Sequence, residues 1–162
     1  MSHETVGRPM EILLVEDSLM FARIAIGALN QGRIQHRLTW LSDGNEAWRF
    51  LQREDKYAAA PRPDLLLLDL KLPGMDGREL LAKVRADDQF KSLPVVVMTG
   101  DGEMAQLGGL KVDAFLTKPL DLAKFIEIVQ KLSRFWKSDM VLPAAIAPHE
   151  EGAAQQHPEF QM

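Results

Sequence analysis

Charged and hydroxyl side chains stand directly after the short apolar runs of this sequence. Glu16 and Asp17 follow the first run, Asp69 a later one, Thr99 the next and Lys118 the last. A carboxylate so close to an apolar core is costly to bury unless a cation meets it. These residues could combine into one polar site if the fold brings the ends of their runs together.

Asp69 is the most unusual of these residues because it follows four consecutive leucines at residues 65–68. A short run of this kind predicts a strand that is buried on both faces. Taken alone, Asp69 can equally be interpreted as the start of a surface turn, where Asp is common. Residues 16–18 are also typical of a helix N-terminus, which favours acids and Ser. Only partners elsewhere in the chain distinguish these interpretations.

Hydrophobic periodicity predicts strands and helices in alternation. The predicted strands are residues 11–15, 35–41, 65–69, 94–98 and 114–117. The predicted helices are residues 20–29, 47–51, 80–86 and 122–136, with a weaker one at 103–107 that Gly108 and Gly109 limit. Five such alternations imply a parallel sheet with right-handed crossovers and helices on both faces. Ligands bind these sheets outside the carboxyl ends of the strands, which is where the polar residues stand.

Composition narrows the class of protein. A chain of 162 residues has room for one domain with a substantial core, and its net charge of -4 argues against nucleic acid as the main partner. Without Cys, neither disulfides nor thiolate metal sites can form. The first residues lack an apolar signal core, and no apolar run approaches the about 20 residues of a membrane span. We therefore expect a cytoplasmic protein without a membrane partner.

The motifs at the predicted strand ends resemble those of the receiver domain of two-component response regulators. They are Val15-Glu16-Asp17-Ser18, LDLKLPGMDG at residues 68–77, Val97-Met98-Thr99-Gly100 and Thr117-Lys118-Pro119. The resemblance extends from Glu11 to roughly Trp136, and its specificity comes from all four motifs occurring in order. It implies a flavodoxin-like α/β fold, with a five-stranded parallel sheet of order 2-1-3-4-5 flanked by five helices.

This resemblance implies a role for each polar residue. Asp69 would be the phosphoacceptor that attacks a phosphohistidine of a sensor histidine kinase. The implied ligands of a Mg2+ ion are Glu16, Asp17, Asp69 and the backbone carbonyl of Lys71. Three carboxylates brought together repel one another, and a divalent cation that prefers oxygen ligands relieves the repulsion. Lys118 would contact a phosphoryl oxygen as a point charge.

The resemblance also implies a switch. Thr99 would donate its hydroxyl to the phosphoryl group and, by moving, vacate space that Phe115 can enter. By its spacing alone, Phe115 is instead a core residue. The protein would signal through a surface whose partner preference changes, and not as an enzyme with a substrate of its own. Phosphodonors are the only small molecules that we expect it to use.

Three further stretches narrow the resemblance to single-domain regulators paired with bacterial phytochromes. They are residues 74–79, 125–129 and 135–143. We therefore expect a phytochrome-like histidine kinase as the partner, and a homodimer. Its interface would be formed by apolar side chains of the C-terminal part, namely Phe135, Trp136, Met140, Val141 and Leu142. The alternative is that these side chains fold back on their own domain.

The predicted domain limits are a flexible leader at residues 1–9, a receiver domain at 10–137 and a C-terminal extension at 138–162. The last part of the extension has a composition typical of disorder, and no output domain is expected after it. Two alternatives stay open, a pseudo-receiver that docks without phosphorylation and a Mg2+-dependent phosphohydrolase with an Asp nucleophile. Such hydrolases place a second acid two positions after the nucleophile, where this chain has Lys71.

Overall fold

The computed structural model describes residues 7–32, 35–99, 107, 109–118 and 121–131. Its strands are β1 (Met10–Val15), β2 (His36–Leu41), β3 (Leu65–Asp69), β4 (Val95–Thr99) and β5 (Ala114–Thr117). Its α-helices are α1 (Leu19–Gln31), α2 (Gly44–Gln52), α3 (Gly77–Ala86) and α4 (Leu122–Lys131), and a 3-10 turn at Asp55–Tyr57 interrupts the connection after α2. None of the helices within these ranges has the length and apolar character needed to cross a lipid bilayer.

The five strands form one parallel sheet of order β2-β1-β3-β4-β5. This order confirms the predicted flavodoxin-like α/β fold. Helix α4 corresponds to the start of the helix predicted at residues 122–136. The weaker helix predicted at residues 103–107 lies outside the described residues, apart from Leu107, which is buried.

Strand β3 is the centre of the sheet, and all of its residues are buried. Leu66 and Leu68 pack into the core on the side of α2 and α3. Leu65 and Leu67 pack into the core on the side of α1 and α4. Successive side chains of a strand point to opposite faces, so a strand covered by helices on both sides needs apolar residues at every position. The four leucines meet this requirement and deliver Asp69 to the carboxyl edge.

A buried carboxylate, Asp64, links β1 and β3 at the amino ends of these strands. It is 3% exposed, and its Oδ2 accepts a hydrogen bond of 2.8 Å from the Glu11 backbone N–H. Arg8 donates to both of its oxygens, at 2.7 and 3.0 Å. The start of β1 is thereby bound to the residue that precedes β3. Arg8 belongs to the predicted leader, residues 1–6 of which lie outside the described part, and the domain limits stay a prediction.

The first residue of α3, Gly77, lies against the backbone that leaves β3. A Cβ atom there would be 2.3 Å from the Asp69 carbonyl oxygen, and the Gly77 N–H already donates to the Leu70 carbonyl at 2.9 Å. The atoms that such a Cβ would meet are backbone atoms of Asp69 and Leu70, which cannot shift without moving the chain that leaves β3. We expect Gly77→Ala to lower the free energy of unfolding by about 1–3 kcal/mol, measured by urea denaturation.

Gly27 in α1 provides the matched control, because nothing lies within 4 Å of the position that its Cβ would take. Alanine is the better helix former, so Gly27→Ala should raise the free energy of unfolding by up to about 1 kcal/mol. A loss of stability in both variants, or in neither, would contradict the steric account of Gly77.

Candidate functional site

Two buried carboxylates emerge side by side at the carboxyl edge of the sheet. Strands β1 and β3 are parallel neighbours with Val15 opposite Leu68, and Glu16 and Asp69 are the residues that follow this pair. Glu16 is 1% exposed and Asp69 is 3% exposed. Asp17 is exposed on the loop between β1 and α1. The fold thus brings together the three acids that the sequence predicted to share a site.

Lys118 supplies the positive charge that these acids require. It follows β5, and its Nζ lies 3.0 Å from Glu16 Oε1 and 3.1 Å from Asp69 Oδ2. The Lys118 side chain is only 16% exposed. One ammonium group therefore faces two buried carboxylates, an arrangement in which attraction offsets part of the cost of removing all three groups from water.

Hydrogen bonds from the adjoining loops fix both carboxylates. The Ser18 backbone N–H donates to Glu16 Oε2 at 3.0 Å, and the Lys71 N–H donates to Asp69 Oδ1 at 3.2 Å. The indole Nε1–H of Trp40, on β2, donates to the Glu16 backbone carbonyl at 2.7 Å. Each acid is thus held by the chain that follows it as well as by Lys118.

The electrostatics of the site favour additional positive charge. Burial raises the pKa of Glu16 and also that of Asp69, although hydrogen bonds to the Lys118 ammonium act in the opposite direction. Burial by itself would lower the pKa of Lys118, but its hydrogen bonds to the two carboxylates outweigh burial and raise that pKa. Lys118 therefore stays charged at neutral pH, and the neighbouring acids add to the effect of burial in raising the pKa of Glu16 and of Asp69.

The donor atoms fit a divalent metal ion. Carboxylate oxygens of Glu16, Asp17 and Asp69 all lie within 4.8 Å of one another. Glu16 presents both of its oxygens to the Lys118 ammonium, Oε1 at 3.0 Å and Oε2 at 3.2 Å. A set of oxygen ligands that is partly buried and partly open suits a hard cation that keeps several waters, such as Mg2+.

The remaining predicted site residues are placed only in part. Thr99 ends β4 beside Thr117 of β5, but its side chain lies outside what the structure describes. Phe115 is partly buried and packs against the core on the side of α2 and α3. Its role as a switch stays a prediction. The predicted interface residues also lie outside the described ranges, namely Phe135, Trp136, Met140, Val141 and Leu142.

Sequence reasoning missed two aromatic residues at the site. Trp40 contacts the backbone of Glu16, and the Lys118 Nζ lies 4.5 Å from the centroid of the Phe21 ring. In the sequence, Phe21 is one of the apolar residues that define a helix face, and Trp40 is one of those that favour a strand. Phe21 could have been identified from its place in the sequence, because it lies in the first turn of the helix that begins at the acidic loop.

Comparison with known proteins supports the resemblance to receiver domains. The family model for the response regulator receiver domain matches residues 12–130. Response regulator Rcp1 of Synechocystis sp. is 41% identical over 140 residues, which cover 85% of this chain and 95% of Rcp1. The solved Mn(2+)-bound form of Rcp1 superposes with a TM-score of 0.65 at 40% identity, covering 83% of this chain and 99% of that one.

Two further solved structures are similar along most of their length. The phosphorylated cyanobacterial phytochrome response regulator RcpA has a TM-score of 0.67 and 38% identity, covering 83% of this chain and 99% of its own. The bacteriophytochrome response regulator AtBRR has a TM-score of 0.73 and 34% identity, covering 80% of this chain and 96% of its own. The chain therefore belongs to the family of response regulator receiver domains.

Proposed function

We propose that Asp69 accepts a phosphoryl group from a sensor histidine kinase and that the resulting aspartyl phosphate changes which partners the protein binds. The observation that carries this proposal is the environment of Asp69. Its carboxylate is buried, its Oδ1 accepts from the Lys71 N–H, and its Oδ2 lies 3.1 Å from the Lys118 Nζ. A carboxylate held in place beside a cation is suited to attack phosphorus, and the cation can stabilise the charge that develops.

In the transfer, an Asp69 oxygen forms a bond to phosphorus while the bond from phosphorus to the imidazole nitrogen of the donor breaks. The electron pair of that bond stays on the nitrogen. Lys71 orients the nucleophile through its N–H, and the Lys118 ammonium is close enough to neutralise a phosphoryl oxygen. The proposed ligands of Mg2+ are Glu16, Asp17, Asp69 and the Lys71 carbonyl, and the ion when bound supplies further positive charge to the transferring group.

The residue two positions after Asp69 distinguishes a phosphoacceptor from a phosphohydrolase. Those enzymes need a second acid two positions after the nucleophile, and that position is Lys71. Membership of the receiver family likewise favours a phosphoacceptor over an enzyme that turns over a substrate. Phosphodonors remain the only small molecules that we assign to the site.

The proposal is tested by measuring the intact mass after incubation with acetyl phosphate, with Mg2+ or with EDTA. We expect a gain of one phosphoryl group that requires the metal ion. Borohydride reduces an acyl phosphate to an alcohol, so peptide mapping after reduction should find homoserine at position 69. If neither acetyl phosphate nor a phosphorylated histidine kinase gives an adduct, the protein is a docking module without phosphorylation chemistry.

We further propose that the donor is a phytochrome-like histidine kinase in the cytoplasm. Support comes from the similarity to RcpA, a cyanobacterial phytochrome response regulator, and to AtBRR, a bacteriophytochrome response regulator. Phosphotransfer from a phosphorylated bacteriophytochrome kinase should be faster than transfer from an unrelated histidine kinase at equal concentration. Equal rates from the two donors would refute this pairing.

We also propose a homodimer whose interface is formed by the apolar residues Phe135, Trp136, Met140, Val141 and Leu142. Clustered large apolar side chains of this kind are typical of interface cores. Light scattering should give twice the chain mass for the wild type and a monomer for a variant that combines Met140→Ser, Val141→Ser and Leu142→Ser. A monomeric wild type at micromolar concentration would contradict the proposal.

A further inference from the structure

The ring of Phe21 faces the ammonium group of Lys118. Its centroid lies 4.5 Å from Nζ, within the about 6 Å at which a cation is attracted to an aromatic face. A lysine ammonium has three N–H donors. Nζ lies 3.0 and 3.2 Å from the two oxygens of Glu16 and 3.1 Å from Asp69 Oδ2, and the Phe21 ring is a further neighbour.

The loop that holds Glu16 also holds Phe21. Ser18 donates its backbone N–H to Glu16 Oε2 at 3.0 Å, and its Oγ accepts from the Phe21 N–H at 3.3 Å. Ser18 is the N-cap of α1, so this second bond fixes the first turn of the helix. Glu16, Ser18, Phe21 and Lys118 therefore form a closed circuit of contacts in which only Lys118 comes from a distant part of the chain.

An aromatic ring can hold a lysine without removing its charge. A third carboxylate at this place would add repulsion against an incoming phosphoryl group, and an aliphatic side chain would offer the ammonium no attraction. The ring attracts the cation through its quadrupole and carries no net charge. Phosphoryl oxygens can therefore contact the same ammonium without competing against a third anion in addition to Glu16 and Asp69.

We propose that Phe21 is a positioning residue that keeps the Lys118 ammonium at the phosphoryl-transfer site. The proposal rests on the assignment of Asp69 as phosphoacceptor. The long lysine stem has several rotatable bonds, and the ring reduces the fraction of conformations in which Nζ points to solvent. Loss of the ring should lower the rate at which Asp69 is phosphorylated, while other aromatic residues at position 21 should preserve it.

The placement of Nζ is tested first without any phosphodonor. An aromatic face shifts the NMR signals of protons above it upfield, so the ε-methylene protons of Lys118 should lie upfield of those of the other lysines. This displacement should disappear in Phe21→Leu and persist in Phe21→Tyr. The signal that is absent from the spectrum of Lys118→Met is assigned to Lys118. An unchanged Lys118 signal in Phe21→Leu would overturn the proposal.

The consequence for phosphorylation is tested by the initial rate with acetyl phosphate and Mg2+. We expect Phe21→Leu to be about five-fold slower than the wild type and Phe21→Tyr to be close to it, as expected for a partly desolvated cation–π contact. In a Lys118→Met background, Phe21→Leu should cause no further loss. Met20→Leu is the control on the same helix, because Met20 is 62% exposed.

The outcomes distinguish failure of the phosphoacceptor assignment from failure of the positioning role of Phe21. A wild type that forms no adduct with acetyl phosphate or with a phosphorylated histidine kinase refutes the phosphoacceptor assignment. The lysine signal then still decides whether Phe21 places the ammonium. An adduct that forms equally fast in the wild type and in Phe21→Leu refutes the positioning role alone. A further loss in the Lys118→Met background would show that Phe21 acts by some other route, and this also overturns the proposal.

Discussion

The variant Asp69→Asn should take up no phosphoryl group from acetyl phosphate. Its free energy of unfolding should nevertheless be higher than that of the wild type in metal-free buffer at pH 7. The amide keeps the shape of the side chain but cannot form the acyl phosphate. It also removes one of two neighbouring buried charges, and Lys118 keeps Glu16 as its partner at 3.0 Å. We expect a gain in the free energy of unfolding of about 1 kcal/mol, within the range of typical single substitutions.

The pH dependence of this gain follows from the direction of the pKa shift. Burial raises the pKa of Asp69 in the folded protein above its ordinary value of 3.8. Between these two pKa values the folded state binds more protons than the unfolded state, so the free energy of unfolding of the wild type falls as the pH rises through this window. The advantage of Asp69→Asn should be full above the folded pKa and vanish below about pH 4, near the unfolded value.

Urea denaturation of both proteins from pH 4 to pH 8 measures this dependence. Asp88→Asn is the matched control, because its side chain is 95% exposed and the change should stay within about 0.5 kcal/mol. Adding Mg2+ should reverse the order, since the wild type retains all three carboxylates that could bind the ion. A phosphoryl adduct in Asp69→Asn would show that another residue is the acceptor.

Lys118→Met should strongly destabilise the metal-free protein and slow phosphorylation. Methionine matches much of the length of lysine, but it leaves Glu16 and Asp69 buried without their shared cation. Removing one partner from a buried ion pair typically costs about 3–5 kcal/mol. Mg2+ should restore more stability to Lys118→Met than to the wild type, because the metal ion then supplies positive charge that Lys118 otherwise provides.

The measurement is the free energy of unfolding by urea, in EDTA and in Mg2+, for both proteins. Lys83→Met controls for the loss of a surface lysine, since Lys83 is exposed and its Nζ lies 5.6 Å from the Trp48 ring centroid. That change should cost about 0.5–1 kcal/mol and should not depend on Mg2+. If Lys118→Met lost no more than Lys83→Met, Lys118 would not be the counter-ion of the buried acids.

The sequence predicted the sheet and the charged residues of the site for the same reason. In a parallel sheet, the carboxyl ends of the strands lie at one edge, so Glu16 and Asp69 could be expected at the same edge from strand ends alone. That β1 and β3 are neighbours followed only from the strand order implied by the family resemblance. Lys118 follows another strand end, and its long side chain reaches across the width of a strand. The motifs then assigned chemistry to positions that the strand pattern had already brought together.

Contacts that depend on tertiary placement could not be predicted in this way. Phe21 and Trp40 satisfy the apolar pattern of a helix and a strand, and that pattern does not show which of their atoms meet a polar group. The burial of Asp64 could not be predicted from its local sequence, because it depends on Arg8, far away in the sequence, and on the backbone of Glu11. The local sequence around each of these residues was consistent with an ordinary structural role.

The hydrogen bond between Trp40 and the Glu16 carbonyl gives the molecule a built-in optical probe. Indole emission depends on the charge and polarity around the ring, and this ring is anchored 2.7 Å from the backbone of an acid at the centre of the site. A protein that carries Trp48→Phe and Trp136→Phe would retain Trp40 as its single tryptophan. Its fluorescence should then report cation binding and phosphoryl uptake in real time, without an attached dye.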